Sequence, residues 1–307
     1  MTDVSGVIAA AITPRGKQGD VDFGATFELV DYLCAAGVRG IALFSATGEY
    51  PALSFDERSR LIYLAVKRSR VPLLVGVGSA TLDASVALAR EARRAGVAGL
   101  LLPPPYFFRY QQDDIREFYL QFAAQVGADS GAAIFLCNIP SFASEIAVES
   151  ALHLLHTGLF AGIENAGGDL EYFGRLKPAA DARPFTLLVA NDAIFTRARS
   201  AGGCSGAISP AACAVPELML ALDRAIVSGD QPAAARLDEL LQEFLAWIDR
   251  FPQPAAIKAA VGLRGLKTGP LPVPLSPEKR RKLDEFREWF QGWLPAMKEL
   301  SVTSVSK

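Results

Sequence analysis

The sequence has only two histidines, His153 and His156, and both stand in "ALHLLHTG". Two histidines three apart can ligate a metal. This stretch, however, is a predicted helix far from any strand end, so a solvated or core-edge role is expected. The four cysteines, Cys34, Cys137, Cys204 and Cys213, form no C-x-x-C pair and no zinc spacing. They read as small buried hydrophobes or free thiols in a reducing compartment. Charge of either sign is not in excess: the formal balance is −2, which draws the chain neither to nucleic acid nor to an anionic membrane. No apolar run approaches the roughly 20 residues of a membrane span. The N-terminus lacks a positive stretch ahead of its apolar run Val7–Ile12, so no secretory leader is expected. These absences point to a soluble cytoplasmic protein.

What is present is apolar length. Half of the 307 residues are hydrophobic, enough for one large α/β barrel or two medium domains. Eight short runs recur: "GVIAAAIT" (6–13), "GIALFSA" (40–46), "PLLVGVG" (72–78), "GLLLPPPY" (99–106), "AAIFLCN" (132–138), "FAGIEN" (160–165), "FTLLVAN" (185–191) and "CSGAIS" (204–209). Each is continuously apolar rather than alternating, as expected of parallel strands buried on both faces. The stretches between them carry helix signals. Ser54 with Glu57 three residues on makes a capping box, and Gly37 and Gly96 mark helix stops. Eight even strand–helix units predict a (β/α)8 TIM barrel over 1–229. A doubly wound sheet is the alternative, but it rarely uses eight such units. Residues 230–307 read as a helical appendage packed on the barrel, with the Pro-rich connector "KTGPLPVPLSP" (267–277) and a frayed tail "SVTSVSK".

In such barrels the chemistry lies at the C-terminal strand ends. Those ends carry Thr13, Ser45-Ala46-Thr47-Gly48-Glu49, Tyr106-Phe107, Cys137-Asn138, Glu164-Asn165, Asn191-Asp192 and Ile208-Ser209. A carboxylate at the end of an apolar run, as in "FAGIENAGGD", is costly to bury unless paired or protonated. Glu164 therefore reads in three ways. It is a buried acid bonded to Asn138, Asn165 or Asn191, or a general acid–base of raised pKa, or a ligand-binding group without turnover. Glu164, Asn191 and Asp192 also suggest a Mg²⁺ site, a weak signal, since neighbours on a strand face opposite ways. Our reading takes no metal and no cofactor. The glycines of "NAGGD" (165–169) read as a turn needing positive φ rather than an anion nest. "AGGCSG" (201–206) is structural.

Taken in order, "SATGEYPALSFDER", "PPPYFFRYQQ", "LCNIPS", "GIENAGGD" and "GGCSGAIS" resemble the motifs of the dihydrodipicolinate synthase / N-acetylneuraminate lyase family of class I aldolases, over about residues 6 to 295. The resemblance implies a Schiff base between a strand-six lysine and a 2-oxo acid, usually pyruvate, with a strand-five tyrosine relaying protons. It also implies a G-T-T-G-E loop that holds the carboxylate. Glu164 stands where the lysine should be and Cys137 where the tyrosine should be. Ala46 replaces the first threonine, while Thr47 and Gly48 match. Phe107 aligns with a tyrosine that reaches a neighbouring subunit, and Phe142 with an arginine of the synthase branch. The substituted mouth is thus expected to be more apolar than the family's.

No other lysine ends a predicted strand: Lys17 reads as solvated and Lys258 lies on an appendage helix. On this reading Glu164 and Cys137 occupy the catalytic positions. Ala46, Thr47, Gly48, Asn138, Asn191 and Ile208 make up the substrate-binding set. Cys137 has no histidine near it to activate its thiol and reads first as core. Three functions remain open: a non-imine lyase acting on a small carboxylate or 2-oxo acid through Glu164, a non-catalytic binding or regulatory pseudoenzyme, and an ordinary pyruvate-dependent aldolase with a displaced lysine. The resemblance also implies a homotetramer or homodimer, in which Phe107 serves stability more than chemistry.

Overall fold

The computed structural model describes residues 4–127 and 131–303. Eight strands close into a parallel barrel in sequence order. They are β1 (Gly6–Ala10), β2 (Gly40–Leu43), β3 (Leu73–Gly76), β4 (Gly99–Leu102), β5 (Ala133–Asn138), β6 (Gly162–Asn165), β7 (Thr186–Val189) and β8 (Gly206–Ser209). Each lies inside the apolar run that predicts it. The helices are α1 (Phe23–Ala36), α2 (Phe55–Arg68), α3 (Leu82–Ala95), α4 (Gln112–Val126), α5 (Val148–His156), α6 (Leu170–Ala182), α7 (Phe195–Ser200), α8 (Ala211–Ala214), α9 (Pro216–Ser228), α10 (Gln231–Ile248), α11 (Ala255–Leu263) and α12 (Pro277–Thr303). Among the described residues none of them is long and apolar enough to cross a membrane.

The two-faced burial of the strands explains their unbroken apolar runs. Outward residues such as Val7, Ile41, Val75 and Ile163 join the layer between sheet and helices. Inward residues such as Ile8, Leu74, Leu101, Phe135, Leu188 and Ile208 fill the lumen. The expected caps form. Ser54 and Glu57 exchange both bonds of the capping box, and Gly96 closes α3 at φ 90°, where a side chain would strain. His153 and His156 are exposed on α5, and three of the four cysteines are buried.

The appendage is more deeply engaged than its sequence suggests. Phe244 of α10 stacks on Trp293 of α12 with ring centroids 5.8 Å apart, and Phe286 and Phe290 join them. The Pro-rich connector is stitched to the barrel mouth. The Arg15 amide donates to Thr268 O at 3.1 Å, and Gly269 packs so closely that a Cβ there would stand 1.8 Å from Arg15 O. The tail is corrected in part: α12 continues to Thr303 with Ser301 buried, because the helix still packs on the core at Met297. Residues 304–307 lie outside the described residues.

Candidate functional site

A cavity of about 420 Å³ opens at the C-terminal ends of the strands. Glu164 stands on its wall at the end of β6, only 6% exposed. The register of β5 against β6 sets Cys137 opposite Glu164. As a result, the Cys137 thiol donates to Glu164 Oε2 at 3.0 Å. Burial pushes the Glu164 pKa up to about 7, and the thiol bond offsets only part of that rise. The thiol itself is pushed well above its usual range by burial and by the neighbouring carboxylate. It is therefore a proton donor to Glu164 and not a thiolate nucleophile.

Of the amide partners expected for Glu164, Asn138 is engaged elsewhere and Asn165 Nδ2 has no partner. Asn138 Nδ2 donates to Asn165 Oδ1 at 2.9 Å, and Asn138 Oδ1 accepts from the Ile146 amide. Asn165 Oδ1 also accepts from the Gly167 amide. This pair locks the loops after β5 and β6. Asn138, expected to bind substrate, does not line the cavity. Gly48 does not line it either; its carbonyl accepts from Thr13 Oγ1 at 2.7 Å. Gly167 and Gly168 avoid positive φ, so the asparagine clasp, and not glycine freedom, shapes that turn.

Ala46, Thr47, Asn191 and Ile208 do line the cavity. So does Asp192, although adjacent residues on a strand face opposite ways. The chain leaves strand form at Val189 and enters a 3-10 turn at Asp192–Ile194, which turns both side chains to the mouth. Asp192 Oδ2 accepts from the Ala211 amide at 2.8 Å, and burial raises its pKa to about 6, offset in part by that bond and by one from the Ser209 side chain. Among the described residues no group of three or more His, Cys, Asp or Glu side chains is placed to hold a metal ion. Phe142 lines the mouth, whereas Phe107 does not. Phe107 is 86% exposed at φ 87°, its ring edge-on to Phe108, because the loop after β4 turns outward there. The apolar mouth thus owes nothing to Phe107.

Among the described residues no lysine lines the cavity. One lysine nevertheless meets the desolvation that the sequence seemed to deny to all of them. Lys258 of α11 is 2% exposed, and burial lowers its pKa. It forms an ion pair with Glu49, itself buried at φ 57° just after the Thr47-Gly48 turn. The signal was present in the sequence: a lysine set in "AAIKAAV", an otherwise apolar turn of helix, needs a buried partner. Phe44, at φ 57°, is a second strained residue in the same loop. Sequence reasoning also missed the contribution of the appendage to the mouth, where Leu245, Ile248, Asp249, Gln253 and Ile257 line the cavity.

A model of the dihydrodipicolinate synthetase family matches residues 3–291. The chain is 30% identical over 274 residues to an uncharacterized DapA-like lyase of Halobacterium salinarum, covering 88% of each protein. It is 31% identical over 278 residues to the 4-hydroxy-tetrahydrodipicolinate synthase of Bacillus subtilis, covering 88% of this chain and 93% of that one. Its fold superposes on the crystal structure of a dihydrodipicolinate synthase from Bacillus anthracis with a TM-score of 0.86 at 27% identity. That match covers 94% of this chain and 99% of the other.

Proposed function

This chain belongs to the dihydrodipicolinate synthetase family, and from that premise we propose that its barrel mouth binds a small carboxylate or 2-oxo acid and moves a proton on it through Glu164, without an imine. The supporting observation is a buried carboxyl on a cavity that no lysine lines, with its pKa raised to about 7. At neutral pH such a group is divided between acid and base forms, as a proton-transfer catalyst requires. The Ala46-Thr47 segment of the loop after β2 is the proposed carboxylate seat. The reaction class is that of a lyase, and neither metal nor cofactor is invoked.

A non-catalytic binding or regulatory role is the second reading. It is favoured by Cys137, whose thiol holds its proton tightly and offers Glu164 no ready relay. The displaced-lysine reading is not carried forward, since Lys258 is committed to Glu49. We further propose a cytoplasmic homodimer or homotetramer. The free cysteines support the location, and the exposed Phe107–Phe108 pair, with centroids 5.0 Å apart, supports the association. Residues 1–229 and 230–307 are proposed as barrel and appendage, sharing one site.

The test is exchange of the C3 protons of pyruvate in D2O, followed by proton NMR, with borohydride trapping in parallel. Wild-type protein is expected to accelerate exchange by about 10²-fold or more over Glu164→Gln, with no pyruvate adduct on the protein. Equal exchange by both proteins removes the catalytic reading. If pyruvate still raises the melting temperature, the binding role stands. A trapped lysine adduct removes both.

A further inference from the structure

The charges around this cavity carry one sign. Glu164, Asp192 and Asp249 line it, whereas no lysine, arginine or histidine does. The two basic groups packed behind its walls are committed elsewhere. Lys258 is paired with Glu49. Arg58 donates to Gly76 O at 2.6 Å and to Gly78 O at 3.1 Å, with its guanidinium over the rings of Phe44 and Tyr50. Glu164 and Asp192 are each more than nine-tenths buried. The protein gives the two acids only neutral donors: a thiol for Glu164, and the Ala211 amide and the Ser209 side chain for Asp192. Ser45 Oγ, on the same wall, has no partner. Buried acids left in this state lack a cation or strong donor, and the protein does not provide one. The remaining wall combines apolar and aromatic side chains, among them Phe44, Tyr50, Leu101, Phe142 and Ile208, with uncharged polar ones, Thr47, Ser141, Asn191 and Gln253.

We infer that the preferred ligand of this cavity carries an ammonium group, seated against Glu164 on the Asp192 side of the mouth, so that a small amine-bearing carboxylate is taken in preference to a simple 2-oxo acid. This deepens the reading above and rests on it for the site and for the carboxylate end alone. A free anion brings a further negative charge to a wall that already has two buried acids. An ammonium brings the missing charge and three donors for the carboxyl oxygens. Asp249, exposed at the rim, biases entry toward the same sign. An ammonium beside Glu164 also favours its ionised form, which is the form that accepts a proton.

A matched set of four-carbon probes separates the parts: 2-aminobutyrate, 2-oxobutyrate, butyrate and 2-aminobutane, each titrated calorimetrically and scored by thermal shift. The expected result is that 2-aminobutyrate binds at least tenfold tighter than 2-oxobutyrate and butyrate. Glu164→Gln and Asp192→Asn, two near-isosteric changes checked for folding by circular dichroism, should each weaken 2-aminobutyrate at least fivefold while leaving butyrate within twofold. If 2-oxobutyrate binds and both amines are inert, the ammonium is refuted and the site reading survives. If 2-aminobutane binds as tightly as 2-aminobutyrate, the ammonium stands and the carboxylate seat falls. Amine binding unchanged in both variants, or no amine binding at all, overturns the inference.

Discussion

Two glutamates on opposite sides of this barrel, one in the loop after β2 and one on β6, have nearly equal burial, yet they are treated in opposite ways. Glu49, 7% exposed, is given a lysine from α11. Glu164, 6% exposed, is given a thiol. Burial alone therefore does not decide what a strand-end acid does; the partner does. With a cation, the acid becomes a clamp that ties α11 to the loop after β2. Without one, it sits near neutrality in its pKa and faces a cavity.

The largest expected effect comes from removing the clamp's cation. Lys258→Met leaves Glu49 buried and uncompensated, at an expected loss of about 3–5 kcal/mol in urea unfolding. Adding Glu49→Gln should recover more than half of that. A loss under about 1 kcal/mol, within the range of exposed pairs, would erase the distinction between the two acids.

The next effect has the opposite sign. Below the ordinary pKa of 4.5 Glu164 is protonated in both folded and unfolded chains. Between 4.5 and about 7 the folded chain keeps a proton that the unfolded chain has released. Stability contributed by this group is therefore full at low pH, falls as pH rises through that window, and is flat above it. Glu164→Gln should stabilise the protein by about 3 kcal/mol at pH 8 and hardly at all near pH 4.5. A destabilised variant at pH 8 would mean that a cation already compensates the acid.

A smaller change sharpens the comparison. The Cys137 thiol bond lowers the Glu164 pKa, so Cys137→Ala should raise the midpoint of Glu164 titration further. Measured by carbon-13 NMR of labelled glutamate, a midpoint that falls instead would show that the thiol is not the donor.

Much of this was legible in the sequence. Strands buried on both faces leave unbroken apolar runs, and helix ends carry local caps, so Ser54, Glu57, Gly37 and Gly96 located elements without tertiary knowledge. The acid at the end of β6 and the thiol on β5 were legible as positions. Their bond was not, because it depends on the register between strands 27 residues apart. Phe107 was misplaced at the mouth because its direction follows from a backbone φ set by the loop. The walls supplied by Leu245, Ile248 and Ile257 were hidden for a different reason. An amphipathic pattern says that a helix face is buried and not what it is buried against.

The central claim is that Glu164 is a buried carboxyl with no cation beside it. Infrared difference spectra of wild type against Glu164→Gln, recorded across the pH range, test it on the group itself. A protonated carboxyl band that is absent from the variant and disappears with a midpoint near pH 7 is expected. A midpoint at or below the ordinary 4.5 would mean that a positive charge lies against this acid, and the account would fail.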